Sequence, residues 1–307
     1  MTDLNSAQTP TSSAEPFYGA YPIKSKRHRR TKAAVASIRD TIKEILEQSH
    51  PQTVRQVFYA ATVRGAVSKV EREYQKTIVR LLVDMREHGD VPFEWLADNT
   101  RWQRKPSSFT GIEHCLNSCA ENYRRNLWAT MPVYVEVWCE KDALAGVLLE
   151  ETKIYDVPLM VAKGYASLTF IHAAAKAIEA KGKPAFIYHF GDLDPSGVDA
   201  ARDIEAKLRR YAPGAEIHFQ RPAVTREQVE QWNLPSRPTK QTDTRAKKFG
   251  SGTSVELDAI PADKLRALVR ECIERHVDQH QLKVLKIAEE SERNLFREIA
   301  RIRAGGA

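Results

Sequence analysis

Val133-Tyr134-Val135-Glu136-Val137-Trp138-Cys139 runs directly into Glu140-Lys141-Asp142. Ala185-Phe186-Ile187-Tyr188-His189-Phe190 runs in the same way into Gly191-Asp192-Leu193-Asp194-Pro195-Ser196-Gly197. Both stretches are short, mostly apolar and rich in β-branched and aromatic residues, the pattern of buried strands. Helical periodicity lies between and after them: Asp142 to Lys153, Ser167 to Ala180 with Ser167 as its cap, and Val198 to Tyr211. Pro158 to Ala162 and Glu216 to Gln220 read as further short strands. Strands alternating with helices at this spacing predict an α/β unit, with a mostly parallel, Rossmann-like sheet covered on both faces.

On the N-terminal side, Val35, Ile38, Ile42 and Ile45 recur at three- and four-residue spacing, and Thr53 can cap a short helix. A further helix after Ser68 buries Val70, Tyr74, Ile78, Leu81, Leu82 and Met85 and stops at Gly89. An extended stretch from Val91 to Trp95 follows. Three helices and a short strand or hairpin are compatible with a winged-helix-like unit. On the C-terminal side, residues 235–253 form a basic loop with Pro235, Pro238, Gly250 and Gly252. Val255-Glu256-Leu257 reads as a last strand, and helices from about Pro261 to Val277 and Leu282 to Arg303 close the chain. The expected organisation is a disordered basic arm over 1–30, a mostly helical winged-helix-like unit over 31–130, the sheet unit over 131–225, and a loop with C-terminal helices over 226–307.

The chain of 307 residues is 42% hydrophobic and 28% charged. It has no apolar run near the roughly 18 residues that span a bilayer and no apolar leader, so a cytoplasmic protein without a membrane partner is expected. Four cysteines without a CxxC pair argue against a disulfide framework or a zinc site. His276 and His280 have zinc-compatible spacing but no evident third ligand. The net charge of +7 favours an anionic partner. Lys24, Lys26, Arg27, Arg29, Arg30 and Lys32 supply six of those charges in one run, so the body is close to neutral.

Ligands of open α/β sheets bind beyond the carboxyl ends of the strands, and here both strong strands end in acids. Asp192 and Asp194 point the same way if the backbone there stays extended, and Glu140 can complete a three-carboxylate cluster. Like charges raise one another's pKa and call for a cation. An all-oxygen set suits Mg²⁺, with Mn²⁺ as a substitute, and bound metal polarises a phosphoryl oxygen.

Glu140-Lys141-Asp142-Ala143, Lys163-Gly164-Tyr165 and Gly191-Asp192-Leu193-Asp194-Pro195-Ser196-Gly197, in this order, resemble the Toprim domain of the topoisomerase VI A subunit and the meiotic double-strand-break proteins. The resemblance covers about Val133 to Phe219. It implies that Glu140, Asp192 and Asp194 are metal ligands, with Glu140 also a general acid or base. Arg55-Gln56-Val57-Phe58-Tyr59 is similar to the nucleophile stretch of that family, with Tyr59 at the tyrosine position and Gln56 in place of the usual acid. Arg55, one helical turn before Tyr59, can present a cation to phosphate. A phenol with a pKa of about 10 needs such help to attack phosphorus.

The resemblance further implies double-stranded DNA as substrate, a homodimer, and a separate ATPase subunit of the topoisomerase VI B type for strand passage. Arg27, Arg29, Arg30, Lys141, Lys163, Lys247 and Lys248 are the candidate DNA contacts. Two other readings remain open on the sequence: a hydrolytic Toprim nuclease in which Tyr59 is structural, and a non-catalytic DNA-binding protein.

Overall fold

Helix starts are set by short polar side chains. Thr31, Thr53, Ser167, Asp194 and Thr225 each accept a backbone N–H three residues on, satisfying a donor that the first turn leaves unpaired. In the computed structural model, the described residues are 30–97, 107–239, 249 and 252–305. The first three helices are α1 (Lys32–Gln48), α2 (Val54–Val63) and α3, which runs from Glu71–Glu73 through a π-helical Tyr74–Val79 into Arg80–Glu87. Gly89 follows at φ 77°, a left-handed position that stops the helix. The stretch expected to be extended instead holds a 3-10 turn at Phe93–Trp95, and only Leu96 bridges back to Gln52. Pro92 accounts for this, because its fixed φ starts a turn and it has no N–H for a ladder. Helix α4 (Ile112–Asn122) comes next.

The sheet strands are β1 (Tyr134–Cys139), β2 (Leu159–Val161), β3 (Ala185–Phe190) and β4 (Ile217–Ala223). Helices α5 (Ala145–Thr152), α6 (Leu168–Glu179) and α7 (Pro195–Tyr211) connect them in turn. All pairings are parallel, in the order β2-β1-β3-β4. The α/β class and the parallel sheet read from the sequence therefore hold. Helix α7 begins three residues before the expected start, because Asp194 caps it and Pro195 fits the first turn, where its missing N–H costs nothing.

Side chains alternate across the sheet, so each face has its own core. Tyr134, Trp138 and Ile187 pack with Ile171 and Ile178 of α6 and Ile204 and Leu208 of α7. Val135, Val137 and Phe190 face the other way, into a cluster that takes in Leu148 of α5 and also Ile42, Phe58 and Ile78 from the first three helices. Glu136 lies on the first face, where it accepts hydrogen bonds from the Tyr134 hydroxyl (2.9 Å) and Trp138 Nε1 (2.8 Å).

After β4 come α8 (Arg226–Gln231) and a small antiparallel pair, β5 (Arg237–Pro238) with β6 (Thr253–Ser254). Val255 bridges to Leu193, and Leu257–Ala259 turns as a 3-10 helix where a strand was expected. Helix α9 (Ala262–Glu274) packs on α5, and α10 (Gln279–Gly305) packs on α4. His276 falls in the turn between α9 and α10 and bonds the Tyr188 hydroxyl (2.7 Å), so it shares no helix face with His280. All four cysteines are free thiols. No helix among the described residues is long and apolar enough to cross a membrane.

Candidate active site

The connection β1-α5-β2 leaves β1 to one side, while β2-α6-β3 crosses back to the other. The strand order therefore reverses between β1 and β3, which pair from Tyr134–Ala185 to Cys139–Phe190. A crevice opens at the carboxyl ends of strands that diverge in this way. Glu140 and Asp192 emerge at that point. The Glu140 N–H donates to Phe190 O (2.9 Å), and Glu140 Oε2 accepts from the Asp192 N–H (2.9 Å). Burial first, and then the negative charges of Asp192 and Asp194, push the Glu140 carboxyl up to about 7.

Two glycines make this approach possible. A Cβ on Gly191 would lie 2.7 Å from Glu140 Oε2 and 2.8 Å from His189 Cε1. A Cβ on Gly197 would lie 2.6 Å from Asp192 O and 3.1 Å from Glu140 Oε2. The backbone at Asp194 is extended, as the expected alternation required (φ −144°, ψ 168°). Its Oδ1 caps α7 on the Gly197 N–H (2.8 Å), and its Oδ2 faces Arg237 at 3.8 Å. Arg221, from β4, donates to the Asp192 carbonyl at 2.8 Å. His189 beneath the turn is fully buried with neither ring nitrogen hydrogen-bonded, and burial, then Arg221, pulls it down to about 3.

Lys141 is the hub on the other side. Its Nζ pairs with Asp258 (2.6 Å), Asp192 Oδ1 (3.2 Å) and Glu256 (3.3 Å). Against the downward pull of burial, these acids hold its ammonium above the ordinary lysine value. Asp192 Oδ1 also accepts the Leu257 N–H (2.7 Å), and burial leaves Asp192 above the usual carboxylate range despite Lys141. Burial acts on Glu256 too, but Lys141, Arg237 and Arg55 together hold it below. Sequence reasoning missed Glu256 and Asp258. Their only signal was the alternation of acids with Val255 and Leu257, which says nothing about a lysine more than a hundred residues away.

The same 256–260 segment anchors α2. Thr53 Oγ1 donates to Asp258 Oδ1 (3.3 Å), and Gln56 Nε2 donates to Ile260 O (3.4 Å). Gln56, which stands where an acid was expected, completes a capping box: its Oε1 accepts the Thr53 N–H (3.0 Å). Tyr59 is buried (4% exposed), with Lys69 Nζ 5.3 Å from its ring centroid. Burial, then Glu256, raises its hydroxyl to about 12, while Arg55 and Lys141 act in the opposite sense. Arg55 covers the Tyr74 ring (4.3 Å) and pairs with Glu71 (3.4 Å).

Arg55, Glu140, Lys141 and Lys163 line one cleft of about 590 Å³, so α2 and the acidic end of β1 meet there within a single chain. Tyr59 lines a neighbouring cavity of about 280 Å³, and Asp258 belongs to the walls of both. Lys163 is largely exposed and pairs with Asp142 (3.0 Å). Arg30 is tied to Glu73 (2.9 Å) and Thr77 (2.8 Å) on α3. Arg27, Arg29, Lys247 and Lys248 lie outside the described residues. Trp95 stacks on His50 and Trp128 donates to Tyr155 O (2.8 Å), so both serve packing.

Among the described residues, no group of three or more His, Cys, Asp or Glu side chains is arranged as a metal-holding set. By donor type alone the acids suit Mg²⁺; the Glu140 carboxyl is raised by burial first, and only the smaller part due to Asp192 and Asp194 is repulsion that a cation would relieve. The hydrogen bonds and ion pairs described above engage Oε2 of Glu140, Oδ1 of Asp192 and both carboxylate oxygens of Asp194, Oδ2 through Arg237. Lys141 holds part of the position on Asp192 that a metal would share. No protein-family profile matches the chain, and comparison with curated proteins returns no match.

Proposed function

We propose that this protein is a Mg²⁺-dependent enzyme that cleaves DNA phosphodiesters at a Toprim-type carboxylate site, in the manner of the topoisomerase VI A subunit. The observation that carries the reading is the meeting of Glu140 and Asp192 at the reversal of strand order, 52 residues apart in sequence and joined by one hydrogen bond. Glu140, Asp192 and Asp194 would hold the metal, which when bound supplies charge to stabilise a phosphoryl oxygen. Without metal the Glu140 carboxyl is pushed up to about 7, so binding the cation near neutral pH would release a proton from it. Lys141 orients Asp192, and Lys163 and Arg55 offer positive charge along the cleft to a phosphate backbone.

Tyr59 is the proposed nucleophile, forming a phosphotyrosyl bond as the leaving 3′- or 5′-oxygen departs. A second reading, hydrolysis by metal-activated water, is favoured by one observation. The Tyr59 hydroxyl is buried, raised to about 12, and lines the cavity next to the acidic cleft, not the cleft itself. Transesterification therefore requires α2 to move relative to residues 256–260, whichever subunit supplies the tyrosine.

The deciding experiment incubates the full chain with supercoiled plasmid and Mg²⁺, quenches with detergent, and measures DNA-linked protein beside Tyr59→Phe and Asp192→Ala. An adduct lost in both variants supports tyrosine transesterification. Cleavage without adduct that survives Tyr59→Phe but not Asp192→Ala assigns hydrolysis. Binding without cleavage at any Mg²⁺ or Mn²⁺ concentration overturns the enzymatic reading.

A further inference from the structure

We propose that Arg86, in the last turn of α3, anchors a backbone phosphate of the bound polynucleotide, flanking the phosphate that the acidic cluster would take. For what fills the acidic end this rests on the proposed chemistry. For the phosphate contact it rests on the surroundings of Arg86 itself.

Four cations line the cleft of about 590 Å³: Arg55, Arg86, Lys141 and Lys163. Three of them have acid partners. Arg55 pairs with Glu71, Lys141 with Asp192, Glu256 and Asp258, and Lys163 with Asp142. Arg86 pairs with no acid among the described residues. Its Nε donates to Leu82 O (3.1 Å), and its guanidinium lies over the Phe93 ring, 5.4 Å from the centroid. Both contacts hold the side chain and neither cancels its charge, since a carbonyl and a ring face are neutral. The two terminal nitrogens make no hydrogen bond among the described residues.

That combination suits phosphate. A guanidinium carries its donors in a planar fork that matches two phosphate oxygens. A side chain already held gives up little rotamer freedom on binding. With no acid to displace, its whole charge is available for counterion release. The rest of the lining agrees on the ligand. Leu96, Ala97 and Ala143 are apolar, and Arg55 is stacked on the Tyr74 ring at 4.3 Å. Cationic and apolar surface within one cleft matches phosphates joined by sugars. One phosphate at the acids and another at Arg86 call for a strand, which a mononucleotide cannot supply.

Arg86 also stands where a cation steadies the last carbonyls of a helix, and the test separates the two roles. Anisotropy of a short labelled duplex is measured with the full chain across a salt series, with Mg²⁺ omitted. Arg86→Ala is expected to lower the slope of log K against log salt by about 0.9, equally on unrelated sequences. Arg86→Lys keeps the charge and therefore the slope, but loses affinity at every salt concentration because the fork is gone. If Arg86 only steadies α3, Arg86→Ala lowers the melting temperature and leaves the slope unchanged, which overturns the proposal. Thymidine monophosphate that displaces the duplex at the duplex's own concentration overturns the need for a strand. Mg²⁺-dependent plasmid cleavage by a wild type whose slope Arg86→Ala does not alter sinks this contact and leaves the proposed chemistry standing. An Arg86-dependent slope without cleavage supports the contact and counts against the chemistry.

Discussion

Gly191 shows how one missing side chain shapes the site. Any Cβ there meets both the Glu140 carboxylate and the His189 ring at under 3 Å, and both are packed. Gly191→Ala is therefore expected to cost roughly 1–3 kcal/mol of stability through overpacking and to displace Glu140 from the Asp192 N–H. Chemical denaturation checks the first effect, and a greater than tenfold loss of Mg²⁺-dependent cleavage checks the second. Glu136 poses a different residue-scale question, since a carboxylate inside β1 would ordinarily be unfavourable. Burial pushes its carboxyl up, more than the bonds from Trp138 and Tyr134 pull it down. A folded-state value above the unfolded one means that its contribution is fully present below the unfolded pKa and is lost as pH rises through the folded one. Glu136→Gln keeps an acceptor for Trp138 Nε1 and removes the titration. Its melting temperature is expected to exceed that of the wild type at pH 8, with the gap closing towards pH 4. Glu136→Ala strands two buried donors and is expected to lose stability by roughly 1–3 kcal/mol per unsatisfied group.

At the scale of elements, the segment from Val255 to Ile260 decides most. It bridges to Leu193, fixes Asp192 through the Leu257 N–H, holds Lys141 through Glu256 and Asp258, and receives α2 through Thr53 and Gln56. Lys141→Met removes the one cation shared by three mostly buried acids. The expected loss is roughly 3–5 kcal/mol at pH 8, because breaking a buried pair leaves uncompensated charge. That deficit shrinks as pH falls and Asp192, whose carboxyl burial holds above the usual range, takes up a proton, and urea unfolding at pH 5 and pH 8 measures it. Added Mg²⁺ should restore part of the loss in Lys141→Met, but not when Asp192→Asn is combined with it. The sheet was legible in the sequence because its strands are apolar runs ended by acids, a local signal that packing reinforces. The start of α7 lies three residues before the periodicity suggests, because Asp194, a ligand candidate by its place after β3, also caps the helix with Pro195 in its first turn. The role of residues 255–260 was not legible: a strand-like alternation fits a bridge and a turn equally well, and the partners Lys141 and Asp192 are set by long-range contacts. The same holds for Tyr59, where sequence supplies a phenol and its neighbours but not its burial.

Across the whole molecule, charge is divided between a nearly neutral body and the Lys24 to Lys32 run, and the two are expected to contribute differently to DNA affinity. Within the body, cations near the cleft are largely paired: Lys141 with three acids, Lys163 with Asp142, and Arg55 with Glu71. A paired cation must give up its acid before it neutralises a phosphate, so its contribution to counterion release is reduced. Lys24, Lys26, Arg27 and Arg29 precede the first helix with no acid among them. If each neutralises one phosphate, the slope of log K against log salt falls by about 0.9 per contact on duplex DNA. Removing residues 1–29 is therefore expected to reduce the slope by about 3 to 4 and to weaken binding strongly at low salt, with little effect near molar salt. Fluorescence anisotropy on a short duplex across a salt series, with Mg²⁺ omitted so that no strand is cut, gives the slope directly. An unchanged slope would place the DNA contacts on the body, and would require the ion pairs around the cleft to open on binding. Lys141→Met and Lys163→Ala would then show the slope change in place of the truncation.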